Sequence, residues 1–326
     1  MNQIERFQAV MNFEPVDRLP RVEWAMWWDK TIERWRGEGL PEGDRYDLYR
    51  HFGLDVYYQH WFAPKAKGFP RPASHGAGVI ASHDDYDRLK EFMFPPFEQL
   101  RPQFERWAAE QDAGDAVVWI TLWGYFWGPR SLLGIEPHFY AFYDKPDLMH
   151  RINQDLADYN VAIVKWLSTL CKPAFMTFAE DMSYNHGPML SEELFDQFLL
   201  PYYRQVVPLL EEMNTRVLVD SDGDITAMVP WLNRAGIEGV LPLERQAGVD
   251  AMELRKQFPS FLMIGQYDKM VMPLGEAAMR AEFERLLPVM RSGGFIPSVD
   301  HQTPPGVSLD QYRIYLRLLE EYTSMT

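Results

Sequence analysis

Cysteine is nearly missing: Cys171 is the only one in 326 residues. A single thiol excludes an internal disulfide and any CxxC metal or redox motif, and it suits a reducing cytoplasm. Long apolar runs are missing too. No stretch approaches the roughly 18 residues of a membrane-spanning helix, and the opening MNQIERFQAVMNFEPVDRLP has no apolar signal core. Positive charge is scarce: 32 lysines and arginines stand against 47 acids, a net charge of −15. That balance argues against nucleic acid or an anionic membrane as a partner. No GxGxxG, P-loop, GxSxG, HExxH or HxH pattern occurs, which removes the usual signatures of nucleotide cradles, serine nucleophiles and paired-histidine metal sites. The expectation is a cytoplasmic protein with a small-molecule substrate.

Aromatic residues are plentiful, with 11 Trp, 16 Tyr and 20 Phe. Tryptophans gather in VEWAMWWDKTIERW and in WITLWGYFWGP. Such clusters serve as core and interface, or they wall a pocket for a flat ligand.

Short β-rich runs alternate with amphipathic helical stretches. The pattern predicts strands at Arg21–Trp24, Asp55–Gln59, Val117–Leu122, Phe175–Phe178, Arg216–Val219, Val240–Leu243, Phe261–Ile264 and Phe295–Val299. Helices are predicted in PDLMHRINQDLADYNVAIVKWLSTL, in SEELFDQFLLPYYRQVVPLLEEM and in SLDQYRIYLRLLEEY. Ser191, with Glu192 and Glu193 behind it, starts the second of these. The stretch 63–96 is the least regular and reads as a long excursion. No linker divides the chain, so residues 1–326 are expected to form a single domain, an α/β fold of the (β/α)8 TIM-barrel type with an N-terminal embellishment. A doubly wound sheet is the alternative, but it lacks its glycine fingerprint.

In such a barrel, chemistry sits at the C-terminal strand ends. Those ends carry Glu23 and Trp24; Trp123, Gly124 and Tyr125; Glu180 and Asp181; Asp220, Ser221 and Asp222; Glu244; Gln266, Tyr267, Asp268 and Lys269; and Asp300 and His301. Plainer readings stand beside each: Asp224 as a helix N-cap, Asp222 as a turn residue beside Gly223, Glu180 and Asp181 as ion-pair partners, His301 as a structural histidine. Asp220 follows directly on Val217-Leu218-Val219, and a carboxylate drawn that far inward requires a partner. Acids converging on one mouth repel, so they need a cation, a shared proton or a cationic ligand.

At these strand ends the sequence resembles the uroporphyrinogen decarboxylase superfamily, which includes corrinoid-linked methyltransferases. The likeness is carried by ERFQAVMNFEPVDRLP, FAEDMSYNHGPMLSEELFDQFLLPYYRQVV, VDSDGDITAMVPWLNRAGIEGVLPLE and GGFIPSVDHQTPPGVSLDQY. The arginine-rich stretch by which true uroporphyrinogen decarboxylases hold substrate carboxylates is replaced here by VEWAMWWDKTIERW, and the pyrrole-gripping aspartate is not recognisable in GLDVYYQHW. In the zinc-dependent methyltransferases, a histidine falls on Asp220, a cysteine on Asp222 and a last cysteine at or beside His301. The resemblance therefore implies a Zn²⁺ set of Asp220, Asp222 and His301. It also implies a methyltransferase that moves a methyl group from a methoxylated or N-methylated small molecule to a corrinoid supplied by a partner protein. Asp220, His301, Glu180 and Asp181 are expected to be catalytic. Glu23, Trp24, Trp123, Tyr125, Glu244, Gln266 and Asp268 are expected to bind substrate. The alternatives are a decarboxylase of uroporphyrinogen or a similar acidic substrate, recognisable by Arg18, Arg21, Arg130 or Lys269 converging in the mouth, and a non-catalytic tetrapyrrole- or corrinoid-binding protein. The family often pairs its barrels, so a homodimer is a further expectation.

Overall fold

The computed structural model describes residues 1–325. Nine strands form: β1 (Tyr57–Phe62), β2 (Val117–Trp123), β3 (Phe175–Ala179), β4 (Ser183–Tyr184), β5 (Gly187–Pro188), β6 (Arg216–Asp220), β7 (Gly239–Leu241), β8 (Leu262–Tyr267) and β9 (Phe295–Val299). Seven of them make one curled parallel sheet in the order β1-β2-β3-β6-β7-β8-β9, and β4 pairs with β5 as a small antiparallel hairpin. Every neighbour in the large sheet is also the next long strand in the chain, the order that right-handed βα units produce. A parallel sheet covered on both faces needs near-continuous apolar strands. β2, VVWITLW, is buried at every position.

The predicted strands at β2, β3, β6, β7, β8 and β9 all form, with ends shifted by a few residues. β1 begins at Tyr57 rather than Asp55, because Asp55 is pulled out of the ladder by the Arg18 guanidinium at 2.6 and 2.9 Å and by the Arg21 amide at 3.0 Å.

The expected first strand, Arg21–Trp24, is not a strand. This segment instead bridges the sheet's two edges through scattered bonds. The Asp55 amide donates to the Arg21 carbonyl at 2.8 Å, the Trp24 amide to Ser298 Oγ at 3.3 Å and the Trp24 indole to the Val299 carbonyl at 2.6 Å. Side chains thus replace ladder partners, and an eight-stranded closed barrel is not formed as a continuous ladder.

Two predicted helices appear nearly as expected, Pro146–Leu167 and Leu309–Thr323. The third breaks in two, Glu192–Phe198 and Leu200–Glu211. Pro201 stands at the break: it has no N–H for the helix ladder and its ring crowds the preceding turn, which favours the first turn of a new helix. Ser191 caps the first piece, accepting from the Leu194 amide at 3.3 Å. The irregular excursion holds one short α-helix, His83–Leu89, continued by a 3-10 turn, Lys90–Phe92.

Candidate functional site

A cavity of about 320 Å³ opens where β3, β6 and β9 end. Its floor is acidic, with Asp181 just past β3, Asp220 closing β6 and Asp222 two residues on, while His301 stands after β9. Its walls are Trp24, Met26, Trp61 and Trp127. The curled parallel sheet explains the convergence, since all the strands point their C-terminal ends the same way.

Asp220 closes β6 and is half-buried in the cavity lining. Its carbonyl accepts the Glu180 amide at 2.9 Å, yet among the described residues no group donates to its carboxylate. Burial, and then repulsion from Asp181 and Asp222, raises it well above the ordinary carboxylate range, so its neutral acid form is favoured near neutrality. Asp222 is pushed up to about 7, first by burial and then by Asp181 and Glu244, with Lys269 opposing. Asp181 is raised by burial, against the Asp222 amide, Arg130 and His301. It sits at φ +44, a left-handed position that a short polar side chain tolerates better than most. His301 Nε2 lies 3.9 Å from Asp222 Oδ2. Burial and Lys269 lower the pKa of His301 despite three surrounding acids, which favours the neutral imidazole. The loops therefore assemble a group of carboxyls that together retain protons.

Glu180 has a different place. It is buried, and its carboxylate accepts from the amides of Tyr125, Phe126 and Trp127 at 2.7, 2.8 and 3.0 Å and from the Tyr203 hydroxyl. Burial lifts it to about 7 while these four donors pull it down. We read it as anionic, because a carboxylate that receives three amides and a phenol is the species those donors select. Gly124 makes this possible: a Cβ there would lie 2.0 Å from the Glu180 carboxyl carbon. Glu180 thus ties β3 to the turn carrying Trp127, so it positions a wall residue.

The other expected ligand-binding residues separate. Trp24 lines the cavity. Glu244 lies beside it, accepting the Gly223 amide at 3.3 Å and repelling Asp222. Glu23, Trp123, Tyr125, Gln266 and Asp268 do not line it. Glu23 is buried beneath Trp24 with Oε1 accepting from Tyr312 at 3.1 Å. Burial raises it to about 8. Trp123 is buried, with the Lys65 ammonium 4.6 Å from its ring. Tyr125 is wholly buried against Tyr202 and Tyr203. Gln266 joins the Ala251 amide to the Leu243 carbonyl at 2.6 and 2.8 Å. Asp268 caps the following turn through the Met270 amide at 2.8 Å. For Trp123, Tyr125, Gln266 and Asp268, at or just past strand ends, short strands with shifted ends hide in the sequence which way a side chain turns, whereas Glu23 lies on a segment that forms no strand at all.

Asp224 is not a helix N-cap as expected: it accepts the Thr226 amide at 2.9 Å in the turn before the short 3-10 helix Thr226–Met228, whose N-cap is Ile225. Met26, Gln59, Trp61, Trp127 and Gln302 line the cavity without having been singled out. Trp127 and Met26 belong to the aromatic clusters noted above, which was their only signal.

Among the described residues, no three His, Cys, Asp or Glu side chains are placed to hold a metal ion. Asp220, Asp222 and His301 share a cavity, but their donor atoms do not converge on one centre. As arranged they do not fit the zinc set that the resemblance implied. The four cations that would mark a polycarboxylate site are elsewhere. Arg18 is paired with Asp55 and Arg21 with Glu320; Lys269 is held by Asp300 at 3.0 Å. Arg130 donates to the Asp181 carbonyl at 2.9 Å. None of these four lines the cavity. No helix among the described residues is long and apolar enough to cross a membrane.

Two solved structures resemble the whole chain. A methyltransferase from Methanosarcina mazei superposes with a TM-score of 0.68 at 14% identity, covering 99% of each chain. A B12-independent methionine synthase from a Shewanella species, in complex with selenomethionine, gives a TM-score of 0.55 at 12% identity over 94% of this chain and 93% of that one. At such identities the likeness shows a shared fold. No curated protein matches the sequence. The family model for uroporphyrinogen decarboxylase (URO-D) matches residues 120–322, a span that contains the acidic strand ends and His301, and the chain belongs to that family.

Proposed function

We propose that the protein is a methyltransferase that takes a methyl group from a methoxylated or N-methylated small molecule and passes it to a corrinoid on a partner protein. The observation that carries this reading is the cavity itself: acids, among them Asp220 with no hydrogen-bond donor on its carboxylate, lie under an apolar tryptophan wall, with no lysine or arginine in the lining. That lining suits a small methyl donor without anionic groups and disfavours the many carboxylates of a uroporphyrinogen.

Asp220 and Asp222 act on the leaving group. An ether oxygen departs poorly as an anion, and a carboxylic acid within reach supplies the proton that makes it an alcohol. An ammonium nitrogen departs as a neutral amine and needs no proton. Asp181 and Glu244 keep their neighbours protonated by repulsion, and neutral His301 accepts a proton or orients the donor. Trp24, Trp61 and Trp127 exclude water and align the methyl group toward the opening. A cavity of about 320 Å³ holds the donor alone, so the corrinoid stays with its carrier and meets the methyl group at the rim, where Met26 and Trp61 are 52% and 45% exposed. The reduced corrinoid supplies the nucleophile.

The test is to mix the protein with reduced free cobalamin and a panel of methoxylated and N-methylated compounds, following the visible spectrum of the acceptor. Methylation by wild type and its loss in Asp220→Asn supports the reading. Turnover of an acidic substrate with release of carbon dioxide, and no methylation, overturns it.

A further inference from the structure

We infer that the methyl donor is an organic cation, a quaternary methylammonium held with its N-methyl groups among Trp24, Trp61 and Trp127 and its charge above Asp181, Asp220 and Asp222. For the fate of the ligand this rests on the methyl-transfer reading; for binding it stands alone.

Three independent features point to a cation. The first is the wall: three indoles and the Met26 thioether around one small cavity form the surface that attracts a diffuse positive charge, because the indole face is negative. The second is charge balance. Four acids and one histidine line the cavity, with no lysine or arginine. The nearest cations stay out of the lining: Lys269 Nζ bonds Asp300 at 3.0 Å, and Arg130 donates to the Asp181 carbonyl at 2.9 Å with its guanidinium 5.6 Å from the Trp127 ring. The third is the half-buried Asp220 carboxylate, which faces the cavity and receives no hydrogen bond from the described residues. A carboxylate held in a cavity without a donor is free to meet a positive ligand.

The charges acting on Asp220 are Asp181 from the end of β3 and Asp222 from its own loop, while Glu244 after β7, Lys269 after β8 and Asp300 after β9 act on Asp222 and on His301. In the free protein, the raised Asp220 and Asp222 carboxyls retain protons. A bound quaternary ammonium replaces them, so ligand entry releases protons to solvent. In transfer, the reduced corrinoid attacks the methyl carbon, the C–N electron pair returns to nitrogen, and a neutral tertiary amine leaves. The carboxyls then take their protons back, which removes the attraction and lets the product go.

The experiment is isothermal titration calorimetry on the intact protein with choline and with dimethylbutanol, its uncharged carbon isostere. Each titration is run at one pH in phosphate and in Tris, whose different ionisation heats count the protons released. Choline should bind at least about tenfold tighter than the isostere and release protons. Trp61→Ala, at a 45% exposed residue whose loss should not unfold the protein, should remove most of that preference. Asp222→Asn should reduce the proton count. Equal binding of the isostere, or choline binding without proton release, overturns the inference. Methylation of cobalamin by neutral methoxylated compounds alone would also overturn it while leaving methyl transfer standing. Selective choline binding with no methylation from any donor would leave the cation site standing and remove methyl transfer.

Discussion

Asp222 offers a perturbation whose sign differs for stability and for activity. Its carboxyl is pushed from 3.8 to about 7 by burial and by Asp181 and Glu244. An acid whose folded-state pKa lies above its unfolded value destabilises the fold. The penalty is absent below the unfolded pKa, grows as pH rises through the window between the two values, and is complete above the folded one. A rise of that size corresponds to about 4 kcal/mol if nothing screens it. The side chain is 39% exposed, and solvent screening brings this to about 2 kcal/mol. Asp222→Asn keeps the shape and removes the charge, so it should stabilise the protein by about 2 kcal/mol near pH 8. For a chain of this size that is about 4 °C in Tm. Near pH 4 the gain should disappear, because the carboxyl is then protonated whether folded or not. Differential scanning calorimetry at the two pH values reads both numbers, and the same variant should lose methyl transfer. A gain of equal size at both pH values would refute the electrostatic argument, and a variant less stable near pH 8 would show that Asp222 is paired.

Glu23→Gln should behave in the same direction. Its carboxyl is buried and raised to about 8, so the amide should stabilise by about 3 kcal/mol near pH 8 and by almost nothing near pH 4, measured by denaturant midpoint. Glu180→Ala strips four donors of their shared acceptor and should cost about 4 kcal/mol, with Trp127 fluorescence shifted toward that of an exposed indole. Lys269→Met leaves Asp300, at 0% exposure, without its cation. It should cost about 3 kcal/mol at neutral pH and less in acid, by chemical denaturation at two pH values.

Much of this architecture was readable in the chain, for a physical reason. A buried parallel strand must be apolar throughout, so Val217–Val219 and Phe295–Val299 announce themselves whatever surrounds them. Asp220 was legible as a residue of the strand-end cavity because a carboxylate at the end of such a run has no cheap explanation. Arg21–Trp24 was misread because its apolar alternation is used to anchor an irregular segment, with Ser298 Oγ and the Val299 carbonyl in place of a ladder. Gln266 and Tyr125 illustrate the other limit: residue type and position at a strand end fitted a pocket, while pleat and the helix packing behind them turned both inward. Trp61 was overlooked because one tryptophan among many carries no individual signal until the fold places it.

The Arg21–Trp24 segment has a consequence of its own. The walls contributed by β1 to β9 cannot move without breaking parallel ladders, whereas Trp24, Ala25 and Met26 reach the cavity from a seam tied by a few side-chain bonds. Amide hydrogens along that seam should exchange before those of any neighbouring strand, since local opening there exposes little surface. Drift in that stretch re-lines one side of the cavity while leaving the scaffold's folding intact, so relatives with different donors should differ most at the seam.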